Sequence, residues 1–411
     1  TAREPLEAIV AVLEAHGQFG SGIPGLTLAQ GAYENSFIIA DPGEAWILET
    51  AGRRWAARRV ERGTASISNA YTIGDDYDLA ADDLAGRAAA MGWWDEDAGP
   101  VDFAGAYADD SIESRRRTRH ARTREECSAG LLGERAGSVD EGWMMRIARD
   151  RSTNPSIDLD VTASSCVASL PAGRGTIPVF WWCASVPSTS VYIPFFAHAD
   201  RLPEIVGRAG TAGVAVTPPE RAAIDRFAGN SYWWLVRDLA DLVAADRNGR
   251  LPVVRERFDA LEASFADGLA AVLSKAGRLR ARGSGEKAAA VLGDYSAACV
   301  DRAVAAVGEL RARFAAEAAE TDAAFAPLVG IYTANFGAFR NAEFEVLERN
   351  DQLAVDIPGQ MTVELNDPGP DGRRSIALAP HVSFSFDRGE DGRVTAMHLY
   401  EVTTLGRGGS D

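Results

Sequence analysis

Lysine is almost missing from this chain: its 411 residues hold two, Lys275 and Lys287, so nearly all of its positive charge is arginine. That bias reflects the base composition of a GC-rich genome more than a binding surface. An excess of positive charge is missing too. Against 42 Lys and Arg stand 59 Asp and Glu, a formal charge of -17. Nucleic acid and anionic membranes are therefore disfavoured as partners, since neither is attracted to an acidic surface. Cysteine is sparse: Cys127, Cys166, Cys183 and Cys299 lie far apart with no C-x-x-C pair, and they read as reduced thiols of a cytoplasmic protein. No apolar run reaches ~18 residues, so no segment reads as a membrane span. The histidines (His16, His120, His198, His381 and His398) have no metal-ligand spacing and read as structural. The patterns GxxxxGK[ST], GxGxxG after a strand, H-E-x-x-H and G-x-S-x-G are all absent. An initiator methionine is also lacking. Thr1 stands at a helix start, and the expectation is a processed product, a fragment or one half of a larger whole.

What is present is ordinary globular text, 46% hydrophobic and 25% charged, long enough for two or three domains. Thr1-Ala2-Arg3-Glu4 has capping-box form, and Leu6, Ile9, Val10 and Leu13 follow at helical spacing. The first helix should end near Gly17-Gln18-Phe19-Gly20-Ser21-Gly22. Strands are expected at Ser36 to Ala40 and Ala45 to Glu49, joined by a turn at Asp41-Pro42-Gly43-Glu44. Trp55 to Val60 and Ser66 to Ile73 should complete a four-stranded meander.

Residues 79 to 151 read as helical and connecting. The basic run Arg115 to His120 has no interleaved aromatics and lies near Asp109, Asp110, Glu125 and Glu126, which favours a solvated helix face over a nucleic-acid patch. Val161 to Leu170 and Ile177 to Ser185 predict a hairpin across Pro171 to Gly175, with Ser190 to Phe196 extending or leaving that sheet. Residues 219 to 317 are helical in pattern, broken at Gly283-Ser284-Gly285. After Phe325, five or six short strands suggest a small antiparallel barrel or sheet.

Two nucleophiles can be read from residue type alone. Cys166 sits mid-strand in apolar company and predicts a buried, inert thiol. A free N-terminal Thr can attack with its own amine as base, but Thr1 fits better as a helix cap whose side-chain oxygen accepts from the first turn.

Tyr33 to Asp41 (YENSFIIAD), Glu44 to Arg53 (EAWILETAGR) and Ser66-Ile67-Ser68-Asn69 resemble the secernin and dipeptidase A family of N-terminal-nucleophile (Ntn) hydrolases. Trp143-Met144-Met145 with Arg149-Asp150, Thr162-Ala163-Ser164-Ser165, Pro187 to Phe196 and Ser231-Tyr232-Trp233-Trp234 follow in the family's order and approximate spacing. The helix opening Thr1 to Glu4 and His16-Gly17-Gln18 also look like the family, so the resemblance covers roughly residues 1 to 275.

The resemblance implies an αββα sandwich of two antiparallel sheets in residues 1–275; with the helical extension read from the pattern of 276–324 and the small β domain read from 325–411, the expected fold is α+β. It also implies a cysteine-type dipeptidase or related amidohydrolase. A Cys at the start of a strand attacks the amide carbonyl, its α-amine shuttles the proton, and amide or backbone N–H groups hold the oxyanion. Nucleophile and base belong to one residue, so no cofactor is implied. That Cys, with its Arg and Asp partners, would precede Thr1 on a small, tightly bound partner chain or segment; the whole would be a heterodimer, with homo-oligomers also open.

Asn69 resembles the family Asn that lies against the nucleophile and orients the substrate carbonyl; an Asx-turn toward Tyr71 is the competing reading. Asn35 and Ser68, with Thr162 and Ser164, are weaker candidates for the same cleft. Phe19 replaces a frequent Gly, and Cys166 a bulky apolar residue. A non-catalytic binding member and an amide-forming acyltransferase are the alternatives.

Overall fold

The computed structural model describes residues 1–18, 33–108, 112–173, 175–209, 212–213, 227–336, 339–349, 352–359, 361–389 and 393–401, with the side chains of residues 96, 112–122, 208–209, 212–213, 321–323, 335–336 and 339 left aside. The chain is α+β, with four antiparallel sheets of three or four strands and several helices among these residues. It divides into two units. Residues 1–208 with 259–303 make up most of the first, and 217–258 with 304–411 most of the second.

In the first unit, α1 (Arg3–His16) puts Leu6, Val10 and Leu13 on one face. They pack against Trp46, Leu48, Trp55 and Ala57 of a sheet with strand order β1 (Ser36–Ala40), β2 (Ala45–Ala51), β3 (Arg54–Val60) and β4 (Leu79–Ala80). The alternating residues of β2 and β3, Ile47 and Ala56, face the other way, onto Ile73, Leu84, Val101 and Phe103. Because both faces are covered, Trp46 to Thr50 form one unbroken buried run. The expected Asp41–Glu44 turn forms: Asp41 Oδ1 accepts from Gly43 N at 2.6 Å and Glu44 N at 2.9 Å.

Two sequence expectations fail here. Half of the capping box forms, Glu4 taking the Thr1 nitrogen at 2.6 Å, but no side chain of α1's own opening residues caps the helix. Its first amides are satisfied from the turn instead, Ala2 N by Asp41 (2.5 Å) and Arg3 N by Glu44 (3.1 Å). The segment Ser66 to Ile73 is not a strand. Only Ser68 and Ala70 form a bridge, and the fourth strand comes later, at Leu79–Ala80. The physical cause is Glu49: its buried carboxylate takes the Thr72 and Ile73 amides that a strand would give to a neighbour.

Helices α2 (Leu84–Ala90) and α3 (Phe103–Tyr107) follow, then α4 (Ile112–Gly133) and α5 (Glu141–Ala148). The basic run Arg115 to His120 lies on α4, where its side chains are outside the described residues. Asp140 starts α5 by accepting from Trp143 N at 2.7 Å, and the Trp143 indole donates to Leu131 O at 3.0 Å, tying α5 to α4. The expected hairpin is β5 (Ser164–Ser169) against β6 (Val179–Ala184), and β7 (Ile193–Phe195) extends it.

Helix α6 (Tyr232–Ala245) belongs to the second unit, while α7 (Arg247–Ala281) and α8 (Gly285–Phe325) contribute residues to both. The predicted break between α7 and α8 lies at Gly283, whose φ of 74° favours glycine. Among the described residues the C-terminal region forms seven strands, one more than the upper expectation. β8 (Gly330–Phe336), β9 (Phe339–Arg349), β10 (Gln352–Asp356) and β11 (Thr362–Glu364) make one sheet. β12 (Arg374–Ile376), β13 (Ala379–Arg388) and β14 (Val394–Glu401) make another. A Leu365–Ile376 bridge links the two sheets around a core of Phe344, Val346, Leu353, Val355 and Phe384.

Candidate functional site

At the head of β1, the Asn35 side-chain nitrogen donates to Gln18 Oε1 at 2.7 Å, and the Asn35 backbone carbonyl accepts from the Thr50 hydroxyl at 2.6 Å. The Gln18 amide nitrogen donates in turn to Thr50 Oγ1 at 2.7 Å and to Glu34. Glu34 also accepts from Gly52 N at 3.0 Å, and the Tyr71 hydroxyl donates to Thr50 O at 2.7 Å. Partial burial raises the Glu34 carboxyl above its ordinary range, against the lowering effect of the Gly52 amide. The Asn35 carboxamide is therefore already engaged through its nitrogen, and its backbone is tied to Thr50. The glycine-rich segment beyond Gln18, with Phe19, lies outside the described residues.

One residue before Thr50 on β2, Glu49 is fully buried. It accepts from Thr72 N (2.7 and 2.9 Å), Thr72 Oγ1 (2.8 Å) and Ile73 N (3.0 Å). Burial pushes its carboxyl upward, while these bonds and the charge of Arg58 pull it back. The net shift is upward. The carboxylate anchors the 66–73 segment from below.

Above that anchor, Asn69 occupies a bend between the bridged residues Ser68 and Ala70. Ser68 Oγ accepts from Arg124 at 3.4 Å, and the Ser66 and Ser128 hydroxyls are hydrogen-bonded to each other. Asn69 itself is exposed, and its carboxamide takes no hydrogen bond among the described residues. The Asx-turn toward Tyr71 does not form.

Thr162 and Ser164 belong to the other sheet of this unit. Thr162 is half-buried just before β5, its amide donating to Leu159 O at 2.9 Å; Ser164 is exposed and pairs with Ala184. Among the described residues no hydrogen bond joins this pair to Asn35, Ser68 or Asn69. Cys166, expected to be buried, is exposed: β5 alternates outward Ser164, Cys166 and Ala168 with inward Val167. Strand periodicity, applied to an edge strand covered on one face, explains the reversal. Partial burial still raises its thiol above the ordinary range.

One constellation was not singled out from sequence. Arg149, at the end of α5, pairs with Glu262 of α7, with both side chains less than a sixth exposed. Arg149 also donates to Pro187 O at 3.0 Å, and Glu262 accepts from Tyr192 N at 2.7 Å. The Tyr192 hydroxyl lies 2.6 Å from Ser165 Oγ. This network pins the buried loop from Ser185 to Tyr192, which opens with Ser185 at a φ of 56°. Arg149 was legible in the family-like text, but Glu262 was not, being 113 residues away.

Among the described residues no three His, Cys, Asp or Glu side chains converge as a metal-binding group, and no helix is long and apolar enough to cross a membrane. No family model matches the chain.

Proposed function

We propose that this chain is the larger part of a cysteine-type Ntn amidohydrolase, a dipeptidase in the first instance, with the αββα arrangement of that class. The reading rests on the sequence resemblance. The one geometric observation that carries it further is Asn69. Its carboxamide is exposed and takes no hydrogen bond among the described residues, on a short segment held by the Ser68–Ala70 bridge and by Glu49 beneath. A neutral amide donor fixed in that way suits an oxyanion, because it stabilises developing charge without titrating.

The nucleophile in this reading is a cysteine at the head of a strand on a further segment, whose α-amine acts as base. The four cysteines of this chain fit the role poorly. Cys183 and Cys299 are buried with thiols pushed up to about 12, and Cys166 stands mid-strand with a raised pKa. Cys127 lies within α4, not at a strand head. The partner segment would supply the thiol, and the assembled protein would act on peptides or other amides in the cytoplasm. An acyl-enzyme can also pass to an amine, so acyl transfer uses the same site.

The test is to express the chain with and without the coding segment upstream of Thr1 and to assay dipeptide hydrolysis, with iodoacetamide as the control. Activity that needs that segment and is lost on alkylation supports the enzyme. An upstream region with no Cys-headed strand, or no activity in either form, supports the non-catalytic binding protein.

A further inference from the structure

Residues 82–102 hold six carboxylates (Asp82, Asp83, Asp95, Glu96, Asp97, Asp102) against one cation, Arg87, and they include an adjacent tryptophan pair, Trp93-Trp94. Helix α2 ends in this stretch by a Schellman turn. Trp93 N donates to Ala88 O and Gly92 N to Ala89 O, both at 2.9 Å, with Gly92 at a φ of 71°. The turn throws both indoles to the same end of the helix. There Ala89, Gly92, Trp93, Trp94, Asp95 and Asp97 line a shallow, open cleft of about 570 Å³.

Both indoles are fixed, Trp94 half-buried against the Ile73 and Phe103 core and Trp93 facing water. Trp93 packs edge-on against Tyr107 with centroids 5.5 Å apart, yet it remains 45% exposed. The Trp94 indole donates to Gly99 O at 3.3 Å. A tryptophan held in place while facing water is an unspent apolar and π surface. Asp95 spends one oxygen on the Asp97 amide (3.1 Å), while the Asp97 carboxylate has no cationic partner among the described residues. The carbonyl end of α2 adds partial negative charge on the same side.

We propose that this cleft binds an organic cation, an ammonium or guanidinium group seated on the Trp93 and Trp94 faces and neutralised by Asp95 and Asp97. Indole faces attract cations through their quadrupole, and alkylated ammonium gains most because it loses little hydration. An inorganic anion or a neutral apolar ligand would leave the carboxylates uncompensated. The site lies outside the Asn69 region and does not depend on the amidohydrolase reading.

The experiment titrates the full chain with tetramethylammonium chloride at matched ionic strength and follows the indole N–H resonances, assigned with Trp93→Phe. Butylguanidinium is a second cation, and tert-butanol is the neutral counterpart. Saturable shifts of Trp93 and Trp94 with either cation, and none with tert-butanol, are expected. Trp93→Ala should weaken binding about tenfold, and Asp97→Asn several-fold. Both positions are exposed, so neither substitution threatens the fold. Equal shifts from tert-butanol, unchanged affinity in Trp93→Ala, or no saturable shift with either cation would overturn the proposal.

Discussion

The Arg149 guanidinium and the Glu262 carboxylate meet across 113 residues of sequence in a nearly enclosed ion pair, and the same carboxylate holds the Tyr192 amide at 2.7 Å. Desolvation opposes the charge on Arg149, but the Glu262 charge and hydrogen bond outweigh it and raise the guanidinium's affinity for its proton. Removing one partner strands the other in a dry environment. Arg149→Ala or Glu262→Ala should therefore cost about 3–5 kcal/mol in denaturant unfolding, while the double change Arg149→Met, Glu262→Leu should cost much less than the sum. Single losses below about 1 kcal/mol would mean that water reaches the pair.

A buried acid gives a second, pH-dependent prediction. Glu49 has its carboxyl raised from 4.5 by burial. The folded state then binds the proton more tightly than the unfolded chain, so this group's contribution is complete below pH 4.5 and is lost as pH rises through the folded pKa. Glu49→Gln should abolish that decline. It should also cost about 1–3 kcal/mol at neutral pH, because an amide N–H₂ then faces the Thr72 or Ile73 donors. Unfolding free energies measured across pH 4 to 8 test both parts; a variant with the parent's slope would refute the assignment.

The same residue shows where the sequence was legible and where it was not. The β1–β2–β3 meander, the β5–β6 hairpin and the α7–α8 break were readable because turn residues and apolar period are local signals. Ser66 to Ile73 looked like a strand by composition, but its amides were claimed by a carboxylate over twenty residues upstream. No local pattern reports such a partner. Cys166 was misplaced for a related reason, since its burial depends on which face of β5 is covered. Asn69 and Asn35 were both readable as amides; only the folded chain separates the one with no partner among the described residues from the one held by Gln18.

That separation is itself testable. On the proposed amidohydrolase function, Asn69→Ala in the complete protein should lower kcat by about 10²–10³ with KM and melting temperature little changed, as loss of an oxyanion donor does. Asn35→Ala should instead lower the melting temperature, because its carboxamide braces Gln18. If Asn69→Ala keeps full kcat, Asn69 has no part in the chemistry.

A close approach between α7 and α8 gives the last prediction. Gly268 lies within α7, and a methyl group built there would sit 2.8 Å from the Tyr295 hydroxyl and 3.2 Å from its ring. That hydroxyl donates to Phe265 O one turn earlier, so the ring is not free to swing away. In an exposed helix Gly→Ala gains about 1 kcal/mol. Here the clash should reverse the sign, and Gly268→Ala should destabilise by about 1–3 kcal/mol. Tyr295→Phe removes the closest atom, though the ring remains near. In that background the Gly268→Ala penalty should shrink toward zero, a coupling that a double-mutant cycle in urea reads directly. Additive effects would show that Tyr295 is not what keeps this position a glycine.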